Sequence, residues 1–135
     1  MARIGFAVAI AAATSILAAT AAQADTRFGV VCLTNKTSAN IGFSFRVGTK
    51  GQWESRHLGP GQARVFRHKF DRPNENKAPN IELRYDSDVR SNKNYSSTST
   101  LTRYAAVGDT CKEGKQYEFQ HEPANRNFIR VVPVN

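Results

Sequence analysis

From residue 25 onward, apolar and polar residues alternate with a period of two, and no stretch carries the three-to-four spacing of an amphipathic helix. Ile41, Phe43, Phe45 and Val47 are separated by Gly42, Ser44 and Arg46, which predicts a strand with one buried face. Ile81, Leu83 and Tyr85 alternate with Glu82, Arg84 and Asp86 and predict a second strand, wet on one side. Phe28 to Thr34 is a continuous apolar run around Cys32, as expected of a strand covered on both faces. Tyr117, Phe119 and His121 alternate ahead of Pro123, and residues 128–132 form a closing strand. Ser96 to Ala106 is rich in Ser and Thr around Leu101 and Tyr104 and predicts one mostly exposed strand.

Turn residues separate these runs at short intervals: Asn35 to Ser38, Gly48 to Gly51, Gly59-Pro60-Gly61, Gly108-Asp109 and Pro123 to Asn125. The stretch Asp71 to Pro79, DRPNENKAP, offers nothing larger than Ala or Pro to a core and reads as a surface loop. Short strands at this spacing predict an all-β fold, a small single-domain antiparallel β-sandwich (or a barrel) of about seven or eight strands.

The first 24 residues have a different pattern. Arg3, an Ala-rich apolar run to about Ala22 and the A-x-A sequence Ala22-Gln23-Ala24 make a secretory signal peptide, with cleavage expected before Asp25. The mature domain is then residues 25–135, without a second apolar span, and its expected address is the bacterial periplasm or exterior. In that oxidising setting the two cysteines, Cys32 and Cys111, are expected to form a disulfide, tying the first strand near the penultimate one.

Charge narrows the class of partner. The whole chain carries +8; loss of Arg3 with the leader leaves 18 Lys plus Arg against 11 Asp plus Glu, a net +7. Between Arg46 and Arg72 there are seven basic residues against Glu54 and Asp71. For an exported protein this excess points away from nucleic acid and toward an anionic glycan, lipid head group or envelope polymer. A protein–protein interaction module is the alternative. Inhibition of a basic enzyme such as lysozyme would be opposed by like charge. No cofactor is expected, and the oligomeric state is left open.

Enzyme and metal motifs are weak. The three histidines, His57, His68 and His121, lack H-x-H or H-E-x-x-H spacing, so no metal site is expected on them. Asp86-Ser87-Asp88 with Asn92 and Asn94 gathers oxygen ligands, yet Arg90 and Ser91 stand where a calcium loop wants an acid or amide and a glycine. No G-x-S-x-G elbow occurs among the hydroxyls from Tyr95 to Tyr104, and the acids fall mostly in loops or on wet faces. A small secreted hydrolase is therefore the lesser reading. The sequons at Asn35 and Asn94 carry no weight in a bacterial pathway.

The candidate site lies in Trp53 to Phe70, WESRHLGPGQARVFRHKF, which sets three arginines, two histidines and a lysine around a Gly-Pro-Gly turn. Read as a hairpin with a three-residue loop, it places Arg56 opposite Arg64, with Trp53, Ser55, Ala63 and Val65 inside and Glu54, Arg56, Arg64 and His68 outside. A two-residue loop instead sets Trp53 against Phe66 inside and puts Arg56, Arg67 and Lys69 outside. Both registers leave a positive outer face, so Arg56, Arg64, Arg67 and Lys69 are the expected ligand-binding residues, with Glu54 as the internal source of relief.

Overall fold

The computed structural model describes residue 5, residues 24–90 and residues 97–135. The expected leader thus lies outside the described residues except for Gly5 and Ala24, as do Asn92, Asn94 and the second sequon.

Two sheets face each other. Sheet A consists of β1 (Phe28–Asn35), β4 (Ala63–Lys69), β7 (Tyr104–Ala106), β8 (Lys115–His121) and β9 (Ile129–Pro133). Sheet B consists of β2 (Ile41–Val47), β3 (Glu54–Leu58), β5 (Ile81–Tyr85) and β6 (Ser97–Leu101), in the order β3-β2-β5-β6. In sheet A, β4 pairs along one side of β1; on the other side β7 runs antiparallel to residues 28–30 and β8 runs parallel to residues 31–35. β9 then closes against β8.

The alternation decides which residues meet. Ile41, Phe43 and Phe45 from β2 and Ile81, Leu83 and Tyr85 from β5 face Val31 and Leu33 from β1, Phe66 from β4 and Tyr117 and Phe119 from β8 in one buried core. Rings lock the two sheets together: Phe43 and Tyr85 lie 6.1 and 5.3 Å from Phe119, and Phe45 meets Phe66 edge-on at 4.9 Å. Burying such side chains contributes on the order of 1.5–3 kcal/mol each.

β1 is covered on both faces, as its apolar run requires. Val30 and Cys32 point away from the core yet are 0 % and 1 % exposed. Their cover is the segment after β7, which is held by the Cys32–Cys111 disulfide and a single 3-10 turn at Cys111–Glu113. Gly114 packs so closely that a Cβ there would stand 2.7 Å from a Val30 methyl.

Three expectations need correction. The described chain has nine strands rather than seven or eight. The stretch from Ser96 to Ala106 is not one strand: β6 belongs to sheet B, the chain crosses over at Thr102 and Arg103, and β7 belongs to sheet A. Its Ser and Thr content suits an edge strand in either sheet and so gives no sign of the crossing. Finally, Gly59-Pro60-Gly61 does not close a hairpin. β3 pairs with β2, β4 pairs with β1, and the turn is a corner between the sheets.

Candidate functional site

The corner is fixed from beneath by Asn35. Its side chain is completely buried, and its Nδ2 donates to the carbonyls of Ala39 and Leu58 at 2.7 and 2.8 Å. Its Oδ1 accepts from the Thr37 backbone N–H and hydroxyl at 2.9 and 2.7 Å. Its own backbone pairs with Gly61 N–H and the Gln62 carbonyl, so one residue holds the end of β1, the next turn and the corner. Gly61 takes φ +78, a left-handed backbone that suits glycine.

Because directly opposed residues share a face, the register tells where the basic side chains go. Arg56 and Glu54 lie opposite Phe43 and Phe45, while Arg64 lies opposite Leu33. All three therefore take the core-facing side of their strands. β3 and β4 are the edges of their sheets, so these side chains emerge at the open mouth between them. The Arg64 guanidinium sits 5.0 Å from the centre of the Phe45 ring and 5.3 Å from Phe66; Arg56 is 5.8 Å from Phe45. Arg56 pairs with Glu54 at 3.4 Å and donates to the Ser55 carbonyl at 2.7 Å. Arg64 is held below its ordinary pKa by burial and, next, by the Arg56 charge, while Glu54 acts in the opposite sense.

The expected grouping of Glu54, Arg56 and Arg64 therefore occurs, with its direction inverted. Trp53 and Ser55 lie on the outer face of sheet B, and Ala63 and Val65 lie on the outer face of sheet A. Arg67 and Lys69 do not join the pair. They stand opposite Val30 and Phe28 on the outer face of sheet A, where Arg67 approaches Asp109 at 3.8 Å.

The outer face of sheet B holds a second basic cluster. Arg46 and Arg84 project from β2 and β5, and their guanidinium carbons lie 4.7 and 4.1 Å from the centre of the Trp53 ring. Beneath them Ser44 is 1 % exposed and bonded to Ser55 at 2.9 Å. Both arginines were legible as outward residues of alternating strands; only the pairing of β2 with both β3 and β5 brings Trp53 between them.

The histidines are dispersed. His57 flanks Gly42 on sheet B, and His68 stacks edge-on to Phe70 at 6.0 Å. His121 Nε2 accepts from the Ser38 N–H at 3.1 Å and lies 3.1 Å from its hydroxyl. No group of three His, Cys, Asp or Glu side chains is arranged to hold a metal among the described residues. The Asp86 and Asp88 side chains accept from the backbone N–H groups two residues on, as in ordinary Asx turns.

A cleft of about 440 Å³ opens near the end of β5, with Tyr85, Ser87, Glu122, Phe128 and Arg130 among its lining residues. It contains one carboxylate and so lacks the pair that glycoside hydrolysis uses. Among the described residues, no helix is long and apolar enough to cross a membrane. The disulfide is compatible with an extracytoplasmic protein. Comparison with protein-family models, with curated proteins and with solved structures found no match.

Proposed function

We propose that this β-sandwich is a binding module for an anionic envelope or extracellular polymer, an acidic glycan in particular, and that it binds along the β3 side of the molecule. The observation that carries this reading is the placement of Arg56 and Arg64 together on the Phe45 ring at a corner held rigid by buried Asn35. Two like charges in one place cost energy in the free protein and gain it back when an anion arrives. Arg46 and Arg84 on Trp53 extend the positive strip around the edge of sheet B, and their stacked geometry leaves less rotamer entropy to lose on binding.

A glycan is favoured over a bilayer by the lack of an apolar wedge at this site among the described residues. Among the large exposed apolar side chains, Val89 stands beside Asn127 and Phe128, and Tyr104 reaches the C-terminal residue next to Val134, all on segments other than β3 and β4.

The test is salt-dependent retention on an immobilised polyuronate. Arg56→Ala with Arg64→Ala should lower the eluting salt concentration far more than Arg126→Ala with Arg130→Ala. Equal losses would mean that net charge alone governs retention, and no retention of the wild type at moderate salt would end the binding reading.

The hydrolase reading has one observation in its favour, the Ser38–His121 contact at 3.1 Å. Its weakness is His121 Nδ1, which is buried without a hydrogen-bond partner, so no acid orients the ring as a nucleophile's base requires. Labelling of Ser38 by a fluorophosphonate, lost in His121→Ala, would support it.

A further inference from the structure

Away from the corner, at the other end of β1, the chain crosses between the sheets at Thr102 and Arg103. Arg103 turns its stem inward beside Gly29, where Phe70 and Ala78 also close in: a Cβ on Gly29 would stand 2.5 Å from Ala78 and 3.5 Å from both Arg103 Cδ and the Phe70 ring. Gly29 thus makes room for the loop after β4 to press down over the arginine.

The surroundings of this guanidinium differ from those of every other arginine described. Its Nε and Nη1 are both shielded from solvent and have no hydrogen-bond partner among the described residues. Arg46, Arg64 and Arg84 also shield Nε, but each rests on an aromatic ring. The ion pairs among the described residues join Asp25 to Arg27, Glu54 to Arg56, Asp109 to Arg67 and Asp88 to Arg90, and none reaches Arg103. The adjoining residue deepens the imbalance, since Thr102 accepts a hydrogen bond at 2.9 Å from a second cation, Lys115. Burial alone holds the Arg103 guanidinium down, to about 10, and no nearby carboxylate offsets it.

Buried donors of a charged group are ordinarily matched by acceptors, because leaving them unmatched costs more than a neutral hydrogen bond returns. Nη2 is the nitrogen of Arg103 outside the shielded set, so an oxyanion reaches the guanidinium there, and engaging Nε on the same edge of the planar fork requires a shift of the side chains that shield it.

We infer that Arg103 is the centre of a second anion site, separate from the β3 corner, which takes a small oxyanion such as a phosphate or the acidic substituent of a sugar at the end of the sandwich. The site does not depend on the corner's function, since no residue is shared.

The experiment uses inorganic phosphate as the probe, against sodium chloride of equal ionic strength. Phosphate at about ten times its Kd should raise the melting midpoint of the wild type by about 4 °C or more and then saturate. Arg103→Met should lose that rise while melting no lower than the wild type in phosphate-free buffer, because the substitution removes an unmatched buried charge. An equal rise in both proteins, or none in the wild type, would overturn the assignment. As a check independent of the variant's folding, the Arg103 Nε–H resonance of the wild type should move saturably with phosphate; a resonance that stays still while those of Arg56 and Arg64 move would equally overturn it.

Discussion

At the corner between β3 and β4, Arg56 and Arg64 keep their charge at the surface, on aromatic rings and beside Glu54. Toward the opposite end of β1, Arg103 carries the same charge inward, with neither ring nor carboxylate among the described residues to meet it. The first arrangement costs less, because water and π-faces still serve the guanidiniums and offset part of their mutual repulsion. The second is expensive without an external partner. Position relative to the sheet edges makes the difference: β3 and β4 open to solvent, whereas the β6–β7 crossing passes beneath a loop.

The strongest way to break this contrast is to dismantle the corner without touching a charge. Asn35→Ala removes a side chain that serves four polar partners, three of them in buried bonds, and should destabilise the protein by about 2–4 kcal/mol in urea unfolding. The surviving fold should lose polyuronate retention although Arg56 and Arg64 are intact; unchanged stability would show that the corner holds itself.

Next in size is the disulfide, which fastens the segment leading out of β7, on the Arg103 side. Its sequence separation of 79 residues corresponds to about 4.5 kcal/mol in the loop-entropy model, so Cys32→Ser with Cys111→Ser should cost about 2–4 kcal/mol. A loss below about 1 kcal/mol in thermal or urea unfolding would show that packing over Val30 suffices.

Arg56→Ala with Arg64→Ala should change stability by less than about 1 kcal/mol, since the Arg56–Glu54 pair is exposed. Glu54→Gln sharpens the same point in the other direction: stability should fall only slightly, while the salt concentration needed for elution rises. If elution is unmoved, Glu54 is not what tempers the corner.

The smallest effect concerns Tyr117. Burial pushes its phenol up, but the bonds to Thr102 and the Lys115 charge outweigh burial and hold it below the ordinary range. The unfolded chain then binds more protons at this group across the window below a pKa of roughly 10, so its stabilising contribution is full above that value and lost as pH falls through the depressed one. Absorbance titration should show one phenolate forming early, and Tyr117→Phe should abolish that step.

Much of the fold was legible because the strand alternation and the burial agree residue for residue in β5 and, apart from buried Ser44 and exposed Val47, in β2. Their core-facing partners followed from the pattern alone. The corner was not legible. Gly-Pro-Gly permits both a hairpin and a change of sheet, and β3, ESRHL, carries a single apolar residue with which to vote. Placing β3 against β2 inverted the faces of Trp53 and Arg56 at once, as a shift in pairing must. Arg56, Arg64 and Glu54 still come together although the hairpin register that grouped them does not form, because β3 and β4 are both edge strands whose core-facing side chains meet at the mouth between the sheets. Arg103 gave no sign, since nothing in STSTLTRYAA marks where a strand leaves its sheet.

The divided flank of β1 also has a consequence in time. A chain that emerges N-terminus first, from a ribosome or a translocon, delivers β1 early, but the strands that share its second side comprise residues 104–106 and 115–121. Until these arrive, β1 has only β4 beside it, Cys32 lacks its partner, and Val30 has no cover. Sheet B needs nothing beyond Leu101 and can assemble first. Contacts of such long sequence separation make slow folding, so the half-built state with an uncovered apolar strand is the one most open to misassembly or to a holding chaperone.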